Sequence, residues 1–160
     1  MILATHFLAG AAIASKISNP GIALAAALTS HFVLDMVPHD EYPIDNIRDG
    51  RWNKSFGDFS RITLDLLFAI LMTIIFTKSN FFLLLAGTLA IAPDGISLFL
   101  YFFPQSKIFF FLDRIQENKI HLWAAKKKLS VKKPLECFLI IFKIINQPII
   151  ILLALFFLAK

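Results

Sequence analysis

Two long apolar runs limit what this chain can become: Phe59–Thr77, "FSRITLDLLFAILMTIIFT", and Phe81–Phe103, separated only by Lys78, Ser79 and Asn80. Each approaches the ~20 residues that cross ~30 Å of hydrocarbon. At that depth a backbone must satisfy its own polar groups, so runs of this length read as helices. A third run, Phe138–Ala159, is interrupted by Lys143, Asn146, Gln147 and Pro148. It reads as one kinked helix, or as a dipping segment followed by a short one. With 58% hydrophobic residues and 18 Phe in 160 residues, the composition lies outside soluble norms and predicts an integral membrane protein.

The rest of the chain organises around these runs as a single membrane domain. Residues 1–37 predict a helical hairpin, with arms Thr5–Ile17 and Gly21–Val37 that are rich in Ala, Leu and Ile, and "SNPG" between them supplying caps and breakers. A signal peptide is rejected because no basic segment precedes the apolar run, which carries His6 and Lys16. Residues 38–57 form a polar loop, 58–103 two membrane spans, 104–136 a basic interfacial segment and 137–160 a C-terminal membrane segment. The expected class is therefore all-α: a polytopic helical bundle with a short N-terminal hairpin and a cytoplasmic amphipathic helix lying at the interface. Eight of the sixteen Lys and Arg residues fall between Pro104 and Glu136, which places that segment in the cytoplasm and the protein in the cell (inner) membrane as a multi-pass chain. The net charge of +5 favours anionic lipid rather than nucleic acid as partner. The single cysteine, Cys137, excludes an intrachain disulfide and offers no CxxC metal knuckle.

Ionisable groups sit at the edge of this apolar material. His6 lies about thirteen residues before the centre of "SNPG" and His31 about twelve after it, so a common rise per residue puts them at one level on adjacent antiparallel helices. His31 and Asp35 are four apart and share a helix face. Pro38 ends the second arm and lets His39 and Asp40 fold back over it. Asp65, about two turns from the cytoplasmic loop, and Asp94, beside a break at "APDG", fall in the same layer. A lone carboxylate inside an apolar span costs at least ~2.5 kcal/mol, and a divalent cation compensates that cost directly. His6, His31, Asp35, Asp65, Asp94 and His121 are thus candidate ligands, with Zn favoured and Mn or Mg possible. His121, on "NKIHLW", would close the site from the cytoplasmic side. As plainer alternatives, His31 and Asp35 form a simple helix-face hydrogen bond, His121 is an amphipathic surface residue, and Pro93 and Gly95 only kink a helix.

"THFLAG", "SHFVLDMVPH" and "APDG" together resemble the YdjM-like membrane-bound metal-dependent hydrolases. The pattern H-x-x-x-D-x-x-P-H is similar to the ligand helix of zinc-dependent phospholipase C and the S1/P1 nucleases. The resemblance implies a metal site built from His and Asp, and a hydrolase. A cation held by His6, His31 and Asp35, with Asp65 or Asp94 bridging a second, would make hydrolysis feasible at neutral pH. A site in the headgroup layer beside basic residues points to a phosphoester of a lipid-like substrate, with His39 or Asp40 as general acid or base. Two other classes stay open: a non-catalytic metal-binding membrane protein, and a transporter of protons or divalent cations. The almost wholly apolar outer halves of the spans count against transport.

Overall fold

A computed structural model describes residues 3–37, 39, 42–103, 105–107, 110–111 and 133–160, with side chains of the last helix described from Phe142 onward. Every regular element among them is helical, as expected of an all-α chain. The helices are α1 (Leu3–Ala14), α2 (Pro20–Asp35), the single turn α3 (Asp45–Arg48), a 3-10 turn at Trp52–Lys54, α4 (Phe56–Thr77), α5 (Phe81–Ala90), α6 (Ala92–Phe102) and α7 (Lys133–Leu158). The C-terminal run is one helix that carries Pro148 inside it, not two pieces. The basic segment 104–136 lies mostly outside the described residues, as do His121 and Asp40.

Local chemistry explains where the helices start and stop. Asn19 caps α2, its side chain accepting from the Ile22 N–H at 3.1 Å, and Pro20 occupies the first turn, where no N–H is needed. α2 ends at Asp35, before Pro38, whose ring cannot continue a helix. Between α4 and α5 the chain reverses through Lys78 and Ser79, both left-handed at φ 53 and 64, and Asn80 then caps α5 on Phe82 N–H at 3.0 Å. Two non-glycine residues in that conformation are uncommon, and here they make the reversal as short as it is. Pro93 sits in the first turn of α6 with no N–H to donate to Leu89, which interrupts the ladder where α5 ends. The two helices meet at a 58° bend.

α1 is the centre of the bundle, packed by α2, α4, α5 and α7. Its residues Ala4 to Ala12 and Ala14 are all buried, so a short, alanine-rich helix is used as core on every side. Small residues let the neighbouring backbones come close. A Cβ at Gly10 would lie 2.4 Å from the Ala90 Cβ, and one at Gly87 would fall 2.5 Å from the Phe7 ring. The antiparallel register of α1 on α2 follows from two contacts. His6 stacks on His31, and Gly10 faces Ala27, four residues further along one arm and four back along the other.

α4 is long and apolar enough to cross a membrane, and only 11% of its most apolar stretch is buried. A core helix of a soluble domain would be buried on most sides, whereas α4 exposes Leu64, Leu67, Phe68, Leu71 and Ile75. The α5–α6 pair also passes by length and composition if the bent pair is counted as one span. The inner face of α4 carries Asp58, Asp65, Ala69 and Thr73 at helical spacing. Asp58 is buried and accepts from the N–H groups of Asn46 at 2.9 Å and Ile47 at 3.2 Å, which fastens the polar loop to the start of α4. Arg61 reinforces this by donating to the Pro43 carbonyl at 3.0 Å and to Asp58 at 3.3 Å.

Candidate metal centre

The hairpin register brings together two imidazoles that are 25 positions apart in sequence. The His6 and His31 ring centroids are 4.3 Å apart with planes tilted by 32°, as the equal arm lengths around "SNPG" predict. Asp35, one turn beyond His31, reaches between them. Its Oδ1 is 3.2 Å from His6 Nε2 and its Oδ2 is 3.2 Å from His31 Nε2. All three side chains are buried. From the opposite side, the first turn of α6 presents Asp94, whose Oδ1 lies 3.7 Å from His31 Nε2. The Asp94 side chain is 28% exposed, unlike His6, His31 and Asp35, which are buried.

The distances fit a shared cation. Donor atoms bound to one tetrahedral ion at ~2.0–2.2 Å are separated by ~3.3–3.6 Å. One donor atom each from His6, His31 and Asp94 all lie within 4.8 Å of one another, so gathering these three asks for a contraction of up to about 1.2–1.5 Å at the widest edge; Asp35, which faces both imidazoles at 3.2 Å, is not a member of that group. His6 supplies a second test. Among the described residues its buried Nδ1 has no hydrogen-bond partner, while its buried Nε2 faces Asp35 Oδ1 at 3.2 Å. A neutral imidazole offers Nε2 either as a donor to Asp35 or, with its proton on Nδ1, as a ligand to a cation.

Asp65 takes a different position. It is level with the cluster along α4, but its Oδ2 accepts from the Ala4 N–H at 3.0 Å and so caps the start of α1 two residues before His6. It lies outside the His6–His31–Asp94 group. Removing the cap with Asp65→Ala is expected to cost about 1–2 kcal/mol of stability, the usual scale for a lost N-cap, while changing zinc affinity less than any substitution at His6, His31 or Asp35. Thermal unfolding in detergent and chelator competition check the two halves of that expectation.

His39 lies four residues past Asp35, and its Nδ1 is 2.6 Å from the Val37 carbonyl. With the proton on Nδ1, that hydrogen bond makes Nε2 the basic nitrogen. Asp40 and His121 lie outside the described residues. Two features of the site were not anticipated from the residues alone: Asp58, whose capping of the loop is signalled only by an acidic residue in the first turn of α4, and the exposed Trp52, which stacks on α6. No family model matches this chain, and neither does any curated protein or solved structure.

Proposed function

We propose that this protein is a polytopic, membrane-embedded metal-dependent hydrolase of the YdjM-like kind, in which His6, His31, Asp35 and Asp94 hold a divalent cation, zinc in the first instance, next to a lipid-like phosphoester. The observation that carries the reading is the convergence of Asp35 on two buried imidazoles at 3.2 Å each, with Asp94 completing the open side. Two carboxylates beside two imidazoles in an apolar bundle need a counter-charge, and the donor types are those zinc takes. Membrane embedding is supported by the exposed apolar face of α4 and by matching exposed residues on α7, among them Ile145, Ile149, Leu152 and Phe156.

A cation in such a site supplies Lewis-acid polarisation of a phosphoryl oxygen and a water of lowered pKa. His6, His31 and Asp35 fix its place and exclude bulk water, since all three are buried. Asp94, the most exposed of the four, would face an approaching substrate. His39 would take the proton of the attacking water as the new phosphorus–oxygen bond forms and the bond to the leaving alkoxide breaks, and would return it to that alkoxide. Hydrolysis consumes only water and needs no redox partner.

The full burial of His6, His31 and Asp35 also favours a second reading, in which the ion only holds the hairpin together. One experiment addresses both. Protein purified in detergent is assayed for zinc content and, against a panel of lipid phosphoesters, for hydrolysis with and without chelator. Retained zinc with chelator-sensitive turnover supports the hydrolase, retained zinc without turnover supports the structural ion, and absence of zinc removes both.

A further inference from the structure

The apolar face that α4 turns away from the bundle runs the length of the helix. Phe56, Leu64, Leu67, Leu71 and Ile75 are all exposed, and their helical spacing puts them on one side. At the first turn this stripe meets an aromatic patch. Phe56 is 83% exposed, and Trp52, Phe102 and Phe103 are exposed as well. The stack of Trp52 on Phe102, with centroids 5.0 Å apart, joins the polar loop to the end of α6, and Phe59, in the next turn after Phe56, lies 6.1 Å from the same ring. The patch is built, not a loose loop tip. The Arg51 N–H donates to the Asn46 carbonyl at 2.8 Å, the buried Ser55 hydroxyl donates to the Arg51 carbonyl at 2.9 Å, and Asp58 fastens the same loop to α4 through the Asn46 and Ile47 N–H groups.

We propose that Trp52, Phe56, Phe102 and Phe103 form an interfacial anchor, which seats this end of the bundle at the boundary between the headgroups and acyl chains of a bilayer. Clustered, exposed aromatic side chains mark a surface that something apolar covers. Continuity with the exposed stripe of α4 identifies the cover as lipid, because the stripe that would face the acyl chains begins at Phe56 itself. An indole suits that boundary, with an apolar ring below and an N–H toward water above. Arg48, Arg51 and Lys54 are exposed on the same segment, and their long stems let the charged ends reach the headgroups. Asp45 and Asp49 are exposed there too, Asp49 only 2.9 Å from Arg51, so most of that charge is offset and the anchor is aromatic more than ionic. The proposal rests on the membrane reading above and adds to it the residues that set the depth of the chain.

The chain has two tryptophans, so Trp123→Phe leaves Trp52 as the sole indole. The test places that full-length variant in phosphatidylcholine nanodiscs containing lipids nitroxide-labelled either near the top or near the middle of the acyl chain. Trp52 emission should be lost mostly to the shallow label, less to the deep one, and little to iodide in the water. Emission untouched by either labelled lipid overturns the anchor: with full iodide quenching the loop stands in water, and without it another part of the chain or a second copy covers the ring. Stronger loss to the deep label overturns it as well. A second measurement does not depend on Trp123→Phe folding. In a Cys137→Ser background in the same discs, Phe56→Cys should react with a charged maleimide about 10-fold more slowly than Lys54→Cys, since a thiol in apolar surroundings yields less thiolate. Equal rates overturn the anchor. Wild-type protein that alkaline carbonate strips from native membranes overturns the membrane reading and the anchor with it, whereas protein that stays in the membrane with Trp52 unquenched by lipid overturns the anchor alone.

Discussion

Asp35→Asn is expected to weaken zinc binding about 100-fold or more while leaving the apo protein folded and no less stable than wild type. The carboxylate is buried and lies 3.2 Å from both imidazoles, so the substitution keeps the shape of the centre and removes the negative charge that a cation would neutralise. Loss of a residue supporting a metal typically costs 10- to 100-fold, and Asp35 belongs at the upper end because its two oxygens face two different imidazoles. The apo form moves the other way. Without a cation, a buried carboxylate carries a desolvation cost that a neutral amide avoids in large part. The two effects separate in thermal unfolding with and without zinc. At a zinc concentration about 100 times the wild-type dissociation constant, wild type should gain roughly 2.7 kcal/mol from the ion and Asp35→Asn much less. Equal zinc-induced stabilisation of the two proteins would count against Asp35 as part of the centre.

His39→Ala is expected to produce the opposite pattern: zinc retained near wild-type affinity, and hydrolysis of a lipid phosphoester reduced about 100-fold or more, the usual scale for losing a general acid or base. Its Nδ1 lies 2.6 Å from the Val37 carbonyl next to the end of α2, and with the proton on Nδ1 it is Nε2 that accepts a proton. His39→Gln, which offers hydrogen bonds but no titratable nitrogen, should be nearly as slow. Metal content and turnover measured on the same preparations check the split. A His39→Ala protein that loses zinc in proportion to turnover would move His39 from proton transfer to support of the site, and one with full turnover would remove it from the reaction.

What the residues alone made legible was depth along the helices. The arm lengths around "SNPG" place His6 opposite His31, the spacing of four places Asp35 under His31, and Pro93 marks a break beside Asp94; these relations follow from rise per residue and from proline's missing donor. Rotation about the helix axis was much less legible. Asp65 is level with the cluster yet turned toward the Ala4 N–H, because α4 packs on α1 through a face that also carries Ala69 and Thr73. The stack of Trp52 on Phe102, fifty positions apart, was not legible either, since neither periodicity nor capping gives a signal for it. Nor did composition foretell that α1, among the shorter helices, is the one packed by four neighbours. That outcome follows from its glycine and alanine content, which lets four neighbours approach at once.

The central claim, that a cation sits between His6, His31, Asp35 and Asp94, is tested most directly by X-ray absorption at the zinc edge of the purified, zinc-loaded protein. The account predicts a first shell of nitrogen and oxygen only, at ~2.0–2.2 Å, with outer-shell scattering from two imidazoles that falls to one in His31→Ala. A sulfur scatterer near ~2.3 Å, or an imidazole signal unchanged in both His6→Ala and His31→Ala, would contradict it.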